Sequence, residues 1–166
     1  MRKRSFNLRF PATVWLTAAF AAALAMALAM SSCATAPYTP SERKVEKLVA
    51  LIDRGGVGAI KGLASAPFLL DGEILLRQAD VDSCWSNLKA SGLRIGAPKI
   101  ESIARIGADS ATLFADSMDA RVFFKKYLDK NSVLVRLKAS EGKYYLLLNR
   151  EVSGYPRIQG FKGPVK

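Results

Sequence analysis

The feature that most constrains this chain is an apolar run from Val14 to Met30, in which Thr17 is the only polar residue. A run of this length sits at the lower edge of the ~17–25 residues that cross a bilayer. Length alone therefore leaves a cleaved export signal and a permanent anchor both open. Arg2, Lys3, Arg4 and Arg9 precede the run without a single acid. A positive block of this kind stays on the cytoplasmic side during export. Any globular domain must be built from the residues after Met30.

Met30-Ser31-Ser32-Cys33 closes the run. It resembles a lipobox, in which an apolar residue and two small residues precede a cysteine. Small residues let the backbone enter a peptidase, and the thiol accepts diacylglycerol before cleavage. Met30 stands where Leu is usual, a looseness similar to that of spirochaete lipoproteins. The resemblance to bacterial lipoproteins implies a signal peptide over 1–32, a lipid (palmitate-type) attachment at Cys33, a tether over 33–41 and one domain over 42–166. A single acyl chain binds a membrane marginally, whereas two or more hold durably. The implied location is the extracytoplasmic side of the cell membrane or outer membrane, lipid-anchored through Cys33. An uncleaved anchor and an ordinary secretory peptide are the alternatives. Ala34 rather than Asp follows the cysteine, so nothing argues for retention at the inner membrane.

Without its first 32 residues the chain is long enough for one domain with a real core. Cys84 is the only cysteine besides Cys33, so with Cys33 acylated no intramolecular disulfide forms and stability must come from packing. The sequence has no histidine. That removes the commonest general base, the commonest metal ligand and every Ser-His or Cys-His pair. A non-catalytic protein with no metal and no cofactor is the expectation, and a carboxylate-based enzyme the least favoured alternative. Charge is uneven: residues 34–120 hold ten Lys/Arg and eleven acids, whereas residues 121–166 hold eleven Lys/Arg and three acids. The basic bias of the last third is either a solvated face or a surface for anionic envelope material.

Ala34–Ser41 carries Pro37 and Pro40 and no charge, and reads as a short semi-extended tether. Val45, Leu48, Val49 and Ile52 recur at helical spacing after Ser41, and Gly55-Gly56 ends that helix. Val57, Ile60, Leu63 and Ala64 suggest a second helix terminated by Pro67. Asp71-Gly72 between two apolar runs is a hairpin turn signal. Asp80 reads as the N-cap of a third helix through Ser91, with Val81, Cys84, Trp85 and Leu88 on one stripe. The rest reads mostly β: a strand around Ile100–Ile106, a returning strand at Ala111–Ala115, a half-buried strand over Val133–Lys138, and another over Tyr144–Leu148. Segment Asp119–Leu128 is open between strand, from Val122-Phe123-Phe124, and a helix capped by Asp116 or Ser117; the reading leans to helix.

Two helices, a hairpin, a third helix and then an antiparallel sheet make an α+β fold. From about Ser41 to Phe161 this order resembles the nuclear transport factor 2-like superfamily. The resemblance rests on Pro67–Leu76 before the third helix, Trp85 within it, Tyr144–Arg150, and Gly154-Tyr155-Pro156-Arg157-Ile158. It implies N-terminal helices packed on a curved, cone-like antiparallel sheet around an apolar pocket. Enzymes of that superfamily use pocket Asp-His or Tyr/Asp arrangements, and this sequence has no histidine to carry over.

Trp85 and Tyr145 are the candidate ligand-binding residues, set against the alternative that both are core. Cys84 reads as a buried, unmodified small hydrophobe. Arg136 and Lys138, two apart on one strand, are the candidate contacts to an anionic surface. The leading function is a non-catalytic envelope lipoprotein that binds a small apolar ligand or an envelope protein. The alternative is a structural or adhesive lipoprotein working through its basic C-terminal surface. Lys125-Lys126-Tyr127 mixes basic and aromatic side chains as nucleic-acid binders do, but an exported anchored protein implies no nucleic-acid partner.

Overall fold

The computed structural model describes residues 37–166. The proposed signal peptide, Cys33 and the first residues of the tether lie outside the described residues. Among those described are five helices and a six-stranded, curved and unclosed sheet. The elements are α1 (Glu42–Arg54), α2 (Val57–Lys61), β1 (Ala64–Leu70), β2 (Glu73–Leu75), α3 (Gln78–Ala90), β3 (Lys99–Arg105), α4 (Ser110–Phe114), α5 (Met118–Lys126), β4 (Val133–Lys138), β5 (Lys143–Val152) and β6 (Tyr155–Val165). No described helix is long and apolar enough to cross a membrane.

The sheet order is β2-β1-β6-β5-β4-β3. The sheet is not wholly antiparallel as expected, because β1 runs parallel to β6. Parallel neighbours need a long crossover, and here most of the domain supplies it. Both faces are covered. On one, Val45, Leu48, Val49 and Ile52 of α1, Ile60 of α2, and Val81 and Trp85 of α3 pack on Phe68, Val135, Leu146, Ile158 and Phe161. On the other, Phe114 of α4 and Ala120 and Phe123 of α5 pack on Leu69, Leu134 and Leu147. This second layer explains why Leu134, expected on an open face, is only 3% exposed. Strands covered on both sides lose the alternation of a half-buried strand.

The local signals mostly act as expected. Gly55 closes α1, its N–H reaching the Leu51 carbonyl at 2.7 Å. Asp71 and Gly72 both take positive φ, 49° and 114°, and join β1 to β2. Helix forms over the ambiguous segment because Ser117 Oγ accepts the Ala120 N–H at 3.0 Å and caps α5.

Three expectations are corrected. The second helix ends at Lys61, and Ala64–Pro67 belong to β1. Pro67 fits there because the pairing with β6 breaks between Ala64 and Leu69, so its missing N–H removes no ladder bond. Ala111–Ala115 does not return as a strand: the Ser110 hydroxyl accepts the Gly107 N–H at 2.8 Å and α4 turns Phe114 onto the sheet. Asp80 is not the N-cap of α3, which is Arg77. Asp80 instead lies in the first turn and accepts two bonds from Arg77, each 2.8 Å, which hold its carboxyl below the usual range.

Gly160 sits between Leu69 and Leu147 in the centre of the sheet. A Cβ there would lie 2.9 Å from the Leu69 carbonyl oxygen and 2.9 Å from Leu147 Cδ1. The backbone contact cannot yield by a rotamer change. Gly160→Ala is therefore expected to destabilise the fold by about 1–3 kcal/mol, read as a lowered urea midpoint with an unchanged slope. An unchanged midpoint would contradict this strand register.

Candidate anion-binding face of the sheet

The face of the sheet under α4 and α5 is covered only along part of its length. Its rows follow from strand register, because directly paired residues project on the same side. The row of Ala104, Leu134, Leu147, Gly160 and Leu69 is the apolar floor beneath the two helices. The next row outward is Ser102, Arg136, Tyr145 and Lys162. The last is Lys99, Lys138 and Lys143, directly opposed across β3, β4 and β5.

Five cations thus share one end of one face. The three lysines of the outer row are exposed, while Arg136, Tyr145 and Lys162 are half-buried. Arg136 Nε donates to Ser102 Oγ at 2.8 Å, which directs its guanidinium along the sheet. Lys162 Nζ lies 5.9 Å from the centroid of the Tyr145 ring, within cation–π reach. Among the described residues the ion pairs are Lys44–Glu151, Arg77–Asp80 and Arg121–Asp116. None involves these five cations. Like charges directly opposite on neighbouring strands repel, and a bound anion relieves that repulsion.

Arg136 and Lys138 therefore do lie on one face, but the partners that make a surface come from other strands. Lys99, Lys143 and Lys162 were not singled out by the sequence. The basic last third is not one continuous face. Arg121 of α5 pairs with Asp116, which precedes that helix, and Arg150 and Arg157 lie on the far end of β5 and β6.

Trp85 and Tyr145 fall on opposite faces of the sheet, so they do not line one pocket together. Trp85 is fully buried, with its ring 6.1 Å from Phe68 and 5.5 Å from Phe161. Its indole N–H has no acceptor among the described residues. Tyr145 packs beside Phe114, 6.4 Å away on the α4 face. Its neighbour Tyr144 is the inward tyrosine, 1% exposed, its hydroxyl 3.4 Å from the Arg94 carbonyl. A groove of about 640 Å³ does open between α1 and the approach to β3, floored by Val49, Ala50, Pro98 and Ile100. Trp85 is not among its walls. Cys84 is half-buried rather than buried. Burial, and secondarily the negative charge of Asp71, push its thiol pKa up, so it is a poor nucleophile at neutral pH.

No protein-family model, curated protein or solved structure matches this chain. Its function must be read from its own residues. Among the described residues, no group of three or more histidine, cysteine, aspartate or glutamate side chains is placed to hold a metal ion.

Proposed function

We propose that this chain is a non-catalytic, lipid-anchored envelope protein that uses the uncovered end of its sheet to hold anionic envelope material. The row of Lys99, Lys138 and Lys143, backed by Arg136 and Lys162, carries this reading. Three lysines aligned across three strands repel one another, and the arrangement fits a partner that supplies the opposite charge. Anchoring at Cys33, export through residues 1–32 and an extracytoplasmic location form the other half of the proposal, supported by the Met30-Ser31-Ser32-Cys33 resemblance. The groove beside α1 supports the second reading, a small ligand with an apolar body. Charged Glu46, Asp53, Arg54 and Arg94 around it would fix that ligand's orientation. The nuclear transport factor 2-like cone is the finer reading of the fold; the order of helices and hairpin before the sheet supports it. The parallel β1–β6 pair and the α4–α5 layer are further features of this chain.

The basic face is tested by flotation of residues 37–166 with vesicles rich in anionic lipid, at low salt and at about 1 M salt. Each lysine near such a surface contributes about 1 kcal/mol. Replacing Lys99, Lys138 and Lys143 with Gln should weaken low-salt binding on the order of 100-fold, and much less where the Debye length shrinks to about 3 Å at 1 M salt. Gln at Lys125, Lys126 and Lys130 should have a smaller effect. Equal losses from both triple variants would reduce the row to ordinary net charge.

A further inference from the structure

A second depression lies at the corner where α1 and α2 meet the β5–β6 turn. Lys47, Ala50, Leu51 and Arg54 recur at i, i+3, i+4 and i+7 and form one stripe of α1, apart from the buried stripe of Val45, Leu48, Val49 and Ile52. With Gly55 and Tyr155 they line a cavity of about 450 Å³. An adjoining cavity of about 270 Å³ is lined by Gly58, Ala59, Gly62 and Leu63. Leu51 and Tyr155 border both, so the two meet across that pair. The first cavity carries the charge. Lys47 and Arg54 are exposed cations outside the ion pairs found among the described residues. The described walls of neither cavity include an acid, and those of the second carry no charge of either sign.

We propose that this corner binds a free single-chain amphiphile with an anionic head, such as a fatty carboxylate. The head sits between Lys47 and Arg54, and the hydrocarbon chain passes over Leu51 and Tyr155 into the uncharged cavity beside Gly58. The site depends on neither the lipid anchor nor the lysine row.

Hydrogen-bonding capacity selects this class of ligand. Lysine and arginine side chains donate and never accept. Backbone acceptors along the walls are already engaged: the Leu51 carbonyl accepts the Gly55 N–H at 2.7 Å, Gly58 that of Gly62 at 3.1 Å, and Leu63 that of Ile158 at 2.9 Å. An occupant therefore meets donors at one end, apolar wall at the other, and few acceptors. A peptide or a sugar brings many donors, and burying them without partners is costly. A hydrocarbon chain brings none, and an anionic head supplies acceptors for both cations. A Cβ on Gly58 would meet no atom within 4 Å, so the chain's own side chains leave that space open. Taken together, the two cavities fall in the range of small-molecule sites, roughly 300–1,000 Å³. The groove floored by Val49 and Ile100 suits this ligand less, because Glu46 and Asp53 on its walls repel an anionic head.

Residues 37–166 hold both cores and form a compact unit by themselves, so the test uses them alone. Decanoate is titrated below its micelle concentration and followed by proton–nitrogen correlation spectra. Saturable shifts should centre on Gly58, Ala59, Gly62 and Ser153, and each added methylene should tighten binding by up to about fourfold. Lys47→Gln with Arg54→Gln should weaken binding about tenfold. Gly58→Leu, which fills the uncharged cavity without meeting the chain's own atoms, should weaken it by a similar factor. The two cations are exposed, so their variant keeps the test decisive even if Gly58→Leu unfolds. Decyltrimethylammonium, with the same tail and a cationic head, should bind far more weakly. Absence of saturable shifts, shifts centred elsewhere, equal binding of the cationic probe, or indifference to both variants overturns the proposal. Loss of decanoate binding when Lys99, Lys138 and Lys143 become Gln would move the anion to the lysine row and overturn this site. The same loss from Ala97→Leu, which narrows the other groove, would move it there. Self-association that Gly58→Leu abolishes, without decanoate binding, would make the corner a contact between copies and end the amphiphile reading.

Discussion

Trp85→Ala is expected to remove about 3–5 kcal/mol of stability, much of the ~5–15 kcal/mol typical of a domain this size. The indole is fully buried and joins α3 to β1 and β6 through Phe68 and Phe161. Deleting it leaves a void that a two-layered sheet, held from its other face by α4 and α5, cannot close. Among the described residues no acceptor faces its N–H, so the effect is chiefly packing. Trp85→Phe should accordingly lose less than half as much, because it keeps an aromatic contact and removes an unsatisfied donor. Urea unfolding of residues 37–166 followed by far-ultraviolet circular dichroism measures both. A loss under about 1 kcal/mol for the alanine variant would mean that Trp85 borders an open cavity. The apolar-ligand reading would then outrank the basic face.

Cys33→Ala is expected to abolish incorporation of labelled palmitate and to leave the signal peptide uncleaved, because diacylglycerol is added before cleavage. Cys84→Ala should leave both unchanged. The contrast has a physical basis. Cys33 alone follows two small residues after the apolar run. Cys84 is half-buried on a helix, with a thiol held protonated by desolvation and the Asp71 charge. The Cys33→Ala variant should therefore accumulate as a longer, unlabelled precursor that keeps the apolar run of Val14 to Met30. Equal labelling of wild type and Cys33→Ala would end the lipoprotein proposal. The lysine row would keep its separate test.

Much of the local structure was legible in the sequence because its causes are local. The i, i+3, i+4 spacing of Val45 to Ile52, the stop at Gly55, the positive φ of Asp71-Gly72 and the Ser117 cap depend on neighbours within a few residues. The errors fall where a distant partner decides. Pro67 reads as a helix terminator until a gap in the β1–β6 ladder accommodates it. Phe114 reads as strand until the second core draws it onto the sheet as part of a helical turn. Arg77 displaced Asp80 as the N-cap of α3 and bound it instead.

The candidate site divides the same way. The sequence by itself determined the composition of the basic third and the placement of Arg136 and Lys138 on one side of a strand, since side chains alternate with a period of two. It also determined that no histidine chemistry exists. Only the tertiary structure decided that Lys99, thirty-nine positions before Lys138, stands directly opposite it. Only the fold placed Trp85 and Tyr145 on opposite faces of one sheet and seated Tyr38 against Glu151 across most of the chain. Strand register and the docking of a tether are set by which side chains bury together. That is a property of the folded whole, and no window of neighbouring residues contains it.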